Sequence, residues 1–479
     1  MKRHSLTALL KSFTKEEIQL FADYISSPYF NRRKAVIKLF RVIIKFYPAF
    51  DDVNFTKKHL FTAVFPGKNY NDSSIRVIIS RLNELAFDFL VQRNFEENNP
   101  ESNLIRIKTM FKRNYFKNGE SFIERSLRSL YENTPLAEDR FYFEHNFFEM
   151  KKSFLQINNS GIIDKKLDKL EFTNSIECFT NYFYIRTLKT YIIILNIKIL
   201  YNRDYDTTFL ENIYNTIEMK IIRKYPVIEI YYLIVILLKD TANEDAYFRA
   251  KNLFYKNLNS FNKSDKEEIL INLGNFASRK ISEGAESFRK EKFELLKKEI
   301  EQKTFNINGY MTFVYYKTVV SMALIMKDVS FAKMFIVDYA VYLSGESRNN
   351  SYYYCSAMYE FYMKNYNNAL EQLSKVNFPD LYSKLDLKVF QIVIFYEMNY
   401  DEALLSSIES FRHFLNNNKL ITKNKHPYYF NFYRAVKKLT ALRNTKDEFE
   451  INLFIKNFLN KHMFINKVWI REKLDNLKA

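Results

Sequence analysis

Apolar residues recur at intervals of three and four residues along most of this chain. One stretch shows the pattern especially well, with apolar positions at Ile75, Ile78, Ile79, Leu82, Leu85, Ala86, Phe89 and Leu90. This spacing places the apolar side chains on one face of an α-helix and leaves the opposite face polar. Asp72 belongs to a residue type that caps helices, so we predict a long amphipathic helix that begins there.

The first hundred residues contain three further helix signals. Thr14, with Glu17 three residues later, has the spacing of a capping box. The residues expected to open the four N-terminal helices are Thr14, Lys34, Thr56 and Asp72. The polar run 96–102, which contains Pro100, is the predicted linker. The sequence therefore predicts an N-terminal helical domain over residues 1–95.

Beyond residue 103 the chain alternates amphipathic stretches with short polar turns, at about one helical hairpin per break. Two of these turns are nearly identical: residues 365–370 (NYNNAL) recur as residues 399–404 (NYDEAL), an offset of 34 residues from 366 to 400. This offset is about the length of one tetratricopeptide (TPR) helix–turn–helix unit. The pattern predicts stacked helical hairpins.

Residues 350–383 are similar to the TPR motif in the placement of large and small side chains. The order along the unit is a large aromatic residue, then a small residue on the first helix, then an aromatic residue before the turn, and finally an alanine on the second helix. The positions that carry the resemblance, in this unit and the next, are Tyr353, Ala357, Tyr366, Ala369, Tyr400 and Ala403. The resemblance implies an all-α chain whose residues 103–479 form a degenerate TPR-like superhelix with a C-terminal cap.

The composition agrees with an all-α fold and excludes several classes of chemistry. Only 7 glycines and 8 prolines occur in 479 residues, and glycine-rich phosphate loops and tight hairpins depend on these residues. The six histidines contain no pair at helical metal-ligand spacing, and neither Cys178 nor Cys355 lies near a histidine in sequence. We therefore expect no catalytic residues, no cofactor and no metal.

Membrane insertion is not expected either. The longest apolar run, residues 230–238, is half of the about 20 residues that a membrane span needs. Two distant cysteines are typical of a reducing compartment. The sequence thus predicts a soluble cytoplasmic protein.

The charge is concentrated at the two ends of the chain. Residues 1–130 hold 23 Lys and Arg against 13 Asp and Glu, and residues 411–479 hold 15 against 5, whereas residues 131–410 are nearly neutral with 35 against 37. Basic ends of this kind are typical of nucleic-acid contacts and also of solvated helix faces. The aromatic and basic stretch 426–446 likewise fits either RNA stacking or the seam of a helical hairpin.

Residues 54–90 combine a short helix, a loop and a long helix that includes Ile-Ser-Arg-Leu at 79–82. This order resembles the helix–turn–helix part of response-regulator-type winged-helix domains, which one family of bacterial transcriptional activators joins to TPR-like repeats. The resemblance implies that Arg76, Ser80 and Arg81, which lie off the apolar stripe, face phosphates or base edges. The sequence favours the alternative that the long helix only packs the N-terminal bundle, with its arginines on the solvent face.

Two functions follow from these patterns. The leading prediction is a non-enzymatic TPR-like scaffold that binds a protein or peptide segment in its groove, with the first helix of each hairpin lining that groove. The alternative is a DNA-binding transcriptional regulator, in which residues 1–95 contact nucleic acid and the TPR-like part is a sensor.

Overall fold

The computed structural model describes residues 4–97, 99–115, 118–158, 172–201, 203–305, 310–345, 347–418, 421 and 425–478. Within these ranges the chain forms 24 α-helices and no β-strand. Met311 and Leu343 form an isolated parallel β-bridge. The prediction of an all-α chain is confirmed.

Contacts between Cα atoms divide the chain into two compact units. The first consists of Met1–Thr190 with Asp206–Ile228, and the second consists of Tyr191–Tyr205 with Glu229–Ala479. Of the described helices, twelve lie wholly or partly in the first unit. They are α1 Ser5–Lys11, α2 Lys15–Ser26, α3 Lys34–Ile43, α4 Lys57–Val64, α5 Asp72–Glu96, α6 Pro100–Lys112, α7 Gly119–Asn133, α8 Glu138–Asn158, α9 Phe172–Tyr201, α10 Thr208–Thr216, α11 Met219–Lys224 and α12 Pro226–Lys239.

The remaining helices all belong to the second unit. They are α13 Glu244–Lys256, α14 Lys263–Ser282, α15 Ser287–Glu301, α16 Phe313–Ile325, α17 Val329–Asp338, α18 Arg348–Tyr362, α19 Tyr366–Ser374, α20 Leu381–Glu397, α21 Asp401–Asn417, α22 His426–Thr445, α23 Glu448–Phe454 and α24 Lys467–Lys478. A π-helical turn, Ile455–Leu459, directly follows α23.

The N-terminal helices form where the sequence predicted them. Thr14 Oγ1 accepts a hydrogen bond from the Glu17 amide at 3.1 Å, and the Thr14 amide donates one to the Glu17 carboxylate at 2.6 Å, which completes the capping box. Thr56 caps α4. The cap of α5 is Asn71 and not Asp72, which is the first helical residue. Helix α1 is an additional element that the sequence patterns did not predict.

The apolar stripe of α5 is buried as expected. It contributes Ile75, Ile78, Ile79, Leu82, Leu85, Ala86 and Phe89 to a core whose buried residues all lie within 6–89. Leu90, the last residue of the predicted stripe, is half-buried against this core. A separate core, formed by residues of α6, α7 and α8, includes Leu104, Leu130 and Phe147. The predicted boundary near residue 95 separates these two cores and lies inside the first compact unit. Within the predicted linker 96–102, α5 ends and α6 begins, with Asn99 capping the Ser102 amide at 2.8 Å.

In three hairpins of the second unit, the two helices are joined by the same type of turn. The residues Lys327, Lys364 and Asn399 each follow the first helix of a hairpin and adopt a left-handed backbone, with φ of 61°, 62° and 56°. After each of them, a backbone amide reaches five residues back: Asp328 to Ala323, Asn365 to Glu360 and Tyr400 to Phe395, at 2.9, 2.9 and 3.1 Å. This is the Schellman motif, which satisfies the last carbonyl groups of a helix. The hairpins are therefore α16–α17, α18–α19 and α20–α21.

The three hairpins pack on their nearest neighbours. Helix α18 contacts its own partner α19 and the preceding first helix α16, and α19 contacts the next first helix α20. Between α16 and α17, the buried Tyr316 hydroxyl donates to the Ile336 carbonyl at 2.5 Å. Contacts of this kind are expected of stacked helical hairpins, in which each layer buries its apolar face on the next.

Candidate functional site

A cavity of about 430 Å³ lies among the first helices of the three hairpins. Helix α16 contributes Lys317, Ser321, Leu324 and Ile325, α18 contributes Tyr354, Met358, Phe361 and Tyr362, and α20 contributes Asp386, Val389, Phe390 and Val393. Ile465 and Asn466, just before α24, and Trp469, in its first turn, complete the lining. We call this the hairpin groove. A volume of several hundred Å³ is typical of protein sites that hold an organic group.

Helical periodicity explains why these side chains meet in the groove. On α16 and on α18 the lining residues are spaced at i, i+4, i+7 and i+8, so each set occupies one helix face. The α18 set follows the α16 set at an offset of 37 residues, which is also the offset between the turn residues Lys327 and Lys364. Equivalent positions of successive hairpins therefore line the groove. This offset was the available sequence signal, but the sequence analysis did not single out the groove residues.

The groove is mostly apolar and aromatic, with one charged pair in its wall. Lys317 on α16 forms an ion pair with Asp386 on α20, and their side chains are 27% and 30% exposed. Lys317 also lies 5.5 Å from the centroid of the Phe313 ring. Because the two charges neutralise each other, the wall of the groove carries no net charge at this pair and offers a neutral ligand mainly apolar contacts.

Two titratable groups beside the groove are kept in their neutral forms. Burial, together with the nearby Asp386 charge, raises the pKa of the Tyr354 hydroxyl well above its usual range. Burial likewise raises the pKa of the Cys355 thiol far above that of a free cysteine. A thiol that is not ionised is a poor nucleophile. The Cys355 thiol is therefore not activated for nucleophilic attack.

The C-terminal helix α24 forms one wall of the groove and is fixed by Glu397. Trp469 Nε1 donates to Glu397 Oε1 at 2.7 Å, and Lys473 Nζ donates to Glu397 Oε2 at 3.0 Å. The Trp469 ring also meets the edge of Tyr396, with centroids 5.2 Å apart. These contacts hold α24 against the end of α20, so the wall is preformed.

The positions predicted to pack the repeats differ in their burial. Ala357 and Ala369 are completely buried, and both belong to the core of the hairpins. Tyr353 and Tyr366 are half-buried, with Lys375 over the Tyr353 ring at 5.5 Å and Phe361 5.5 Å from Tyr366. In the next hairpin Ala403 is only half-buried, and Tyr400 is 51% exposed.

The residues predicted to contact DNA lie on the outer face of α5. Arg76 and Ser80 are exposed, and Arg81 is partly exposed. Each arginine has a carboxylate partner on the same helix: Arg76 pairs with Asp72 at 2.5 Å, and Arg81 pairs with Glu84 at 3.0 Å. Over its full length α5 holds three arginines and four acidic residues. Its net charge of −1 is unfavourable for contact with phosphates, and a role in DNA binding stays a prediction.

The aromatic residues of α22 fit the packing interpretation of stretch 426–446. Tyr429, Phe432 and Tyr433 are buried in the C-terminal core. Arg443 pairs with Asp401 and donates to the Tyr396 carbonyl at 3.2 Å, so it ties α22 to the hairpin α20–α21. The three aromatic side chains and Arg443 therefore make their contacts within the fold.

In the part of the chain that the structure covers, no group of three or more His, Cys, Asp or Glu is placed to hold a metal ion. None of the helices described is both long enough and apolar enough to cross a membrane.

Two comparisons with known proteins were negative. No protein-family model matches the chain, and no curated protein is significantly similar to it.

Proposed function

We propose that this protein is a non-enzymatic, TPR-like scaffold that binds a peptide segment of another protein in the hairpin groove. One observation carries the proposal: three successive first helices line a single cavity, and the first two of them do so through equivalent positions. The first helices of stacked hairpins form the inner surface of a helical solenoid, where such proteins bind extended or helical segments.

The lining indicates what part of the partner enters the groove. Ile325, Phe361 and Phe390 offer apolar contact, whereas Lys317 and Asp386 are already paired with each other. A bulky apolar side chain is therefore the expected anchor, and its full burial contributes about 1.5–3 kcal/mol. Polar main-chain groups of the peptide then lie along the exposed rim.

The proposal is tested by selecting binders and then changing the groove. Random peptides displayed on phage are selected on the full chain, and the affinity of an enriched peptide is measured by fluorescence anisotropy. Ile325, 46% exposed on α16, is changed to Glu; the matched control is Leu405→Glu, at a leucine that is 53% exposed on the second helix α21.

We expect Ile325→Glu to weaken the peptide at least about tenfold, or about 1.4 kcal/mol, because a carboxylate in the apolar groove loses hydration. Leu405→Glu should leave the affinity unchanged. Failure to enrich any peptide, or equal effects of the two substitutions, would contradict the proposal.

A cytoplasmic location accompanies this function. The described cysteines, Cys178 and Cys355, are both free and buried, as expected for a protein of a reducing compartment. The alternative function, a DNA-binding regulator that reads bases through α5, has weaker support because both arginines of the predicted contact are paired with carboxylates.

A further inference from the structure

Helix α3 carries a row of positive charge that neither function above uses. Residues 24–50 contain six Lys and Arg and no Asp or Glu. Four of the cations, Lys34, Lys38, Arg41 and Lys45, are spaced at i, i+4, i+7 and i+11. This spacing aligns them on one side of the helix, over about 16 Å at 1.5 Å per residue. We call these four residues the α3 row.

The row faces solvent because the opposite side of α3 is fixed in the core. Val36, Leu39, Phe40 and Ile43 are all buried there. The side chains of the row are exposed. The last of them, Lys45, lies in the 3₁₀ turn Ile44–Phe46 that continues the helix. The fold thus presents a line of cations to solvent.

The row has no counter-charges of its own. None of its four cations forms an ion pair within the described residues, and neither do Arg32 and Arg33, which precede α3 and are also exposed. On α5, by contrast, Arg76 and Arg81 are both paired. Unpaired cations of this domain are therefore concentrated on α3 and just before it.

The chemistry of α3 selects among polyanions. Because its apolar face is buried in the core, the helix cannot insert that face into a lipid surface as amphipathic membrane helices do. Its only polar side chains are Lys and Arg, so a 2′-hydroxyl finds only donors there and no acceptor to complete its recognition, which gives RNA no advantage over DNA. What it offers is a line of donors for phosphates, which follow each other closely along duplex DNA.

We infer that the α3 row is a docking surface for the phosphate backbone of duplex DNA. The contact positions the protein without reading sequence. Tyr29, which is 88% exposed just before the two arginines, lies at one end of the basic surface. This inference does not depend on the peptide groove, which belongs to the other compact unit.

The test uses the full chain and a fluorescently labelled DNA duplex of arbitrary sequence. Binding is followed by anisotropy between about 50 and 200 mM salt. The row is neutralised in the variant K34Q/K38Q/R41Q/K45Q. A matched control removes the same charge at four exposed lysines that form no ion pair with described residues, K108Q/K112Q/K456Q/K461Q.

We expect the wild-type affinity to fall steeply with salt. In the row variant, the slope of log affinity against log salt concentration should be smaller in magnitude by about 3 to 4, at about 0.9 per phosphate contact. Its affinity at low salt should fall at least tenfold, while the control keeps the wild-type slope. The four single substitutions, each lowering the slope by about one, test the inference even if the fourfold variant does not fold.

Several results would overturn the inference. An unchanged slope in the row variant would do so, as would an equal loss in the control, which would show dependence on net charge alone. Tighter binding to an RNA duplex of the same sequence, or binding to phosphatidylserine vesicles without binding to the duplex, would assign the row to a different partner.

Discussion

Lys317 and Asp386 form an ion pair although they lie on helices that are not consecutive in the stack: α16 and α20, with the first helix α18 between them in the series. The pair therefore connects the first and the third hairpin directly. Since both side chains are partly buried, removal of one leaves the other charge poorly solvated.

We predict measurable coupling between these two residues. Lys317→Met and Asp386→Asn should each destabilise the protein, and a double-mutant cycle in urea should give a coupling energy of about 1 kcal/mol. Additive effects would show that the pair does not connect the hairpins energetically. The exposed pair Lys298–Glu301 on α15 is the control, for which a smaller coupling is expected.

The two alanines that occupy the same place in the repeated turns should differ in their tolerance of charge. Ala369 is completely buried, so Ala369→Asp should destabilise by roughly 3 kcal/mol or more. Ala403 is half-buried, and Ala403→Asp should cost clearly less because its carboxylate reaches water. Thermal unfolding followed by circular dichroism checks this order, and equal melting temperatures of the two variants would contradict it.

Trp469 should report on occupancy of the groove. It is the single tryptophan of the chain and lines the cavity. We expect a groove-binding peptide to shift its fluorescence emission to shorter wavelength as water leaves the indole. The shift should saturate at the same peptide concentration as the anisotropy signal. Binding without any change in emission would place the peptide elsewhere.

The two cysteines should report on the two compact units separately. Cys178 belongs to the first unit and Cys355 to the second. Burial, with the nearby Glu144 charge, raises the pKa of Cys178 to about 12, and burial raises that of Cys355 further. Because only the thiolate attacks a thiol reagent, neither residue should react near pH 8 in the native protein.

As urea unfolds each unit, its cysteine should become reactive. The single variants Cys178→Ala and Cys355→Ala assign the two labelling curves. Rapid labelling of both thiols in the native protein would contradict the buried positions described above.

The arginines of α5 provide a direct comparison with the α3 row. Arg76→Ala combined with Arg81→Ala should lower DNA affinity less than the row variant does, because each arginine is already paired with a carboxylate. The same anisotropy titration measures both. A larger loss from the α5 variant would favour the transcriptional regulator, with α5 as the reading helix.

Local features of this fold could be predicted from the sequence, and long-range ones could not. The buried stripe from Ile75 to Phe89 follows from helical periodicity alone, and the cap at Thr14 follows from two residues three apart. The hydrogen bond from Trp469 to Glu397 joins residues 72 positions apart. Its formation depends on how several helices stack, and no local pattern contains that information.

The difference between Ala369 and Ala403 has a similar cause. Both occupy the same position in nearly identical turn sequences, so the sequence analysis predicted the same packing for both. Their burial is decided by the helices that lie against them, and these differ from one hairpin to the next. The basic residues of α3 are visible in the sequence. Their exposure to solvent depends on the burial of the opposite helix face, which only the packed structure shows.

The turn shared by the three hairpins has a consequence for how this architecture changes over time. Lys327, Lys364 and Asn399 adopt the same left-handed conformation although none of them is glycine. The bonds that close each turn join backbone atoms alone. Substitution among residues that tolerate this conformation therefore changes the surface of the protein without changing the path of the chain. A repeated architecture of this kind can persist after its repeated sequence has faded.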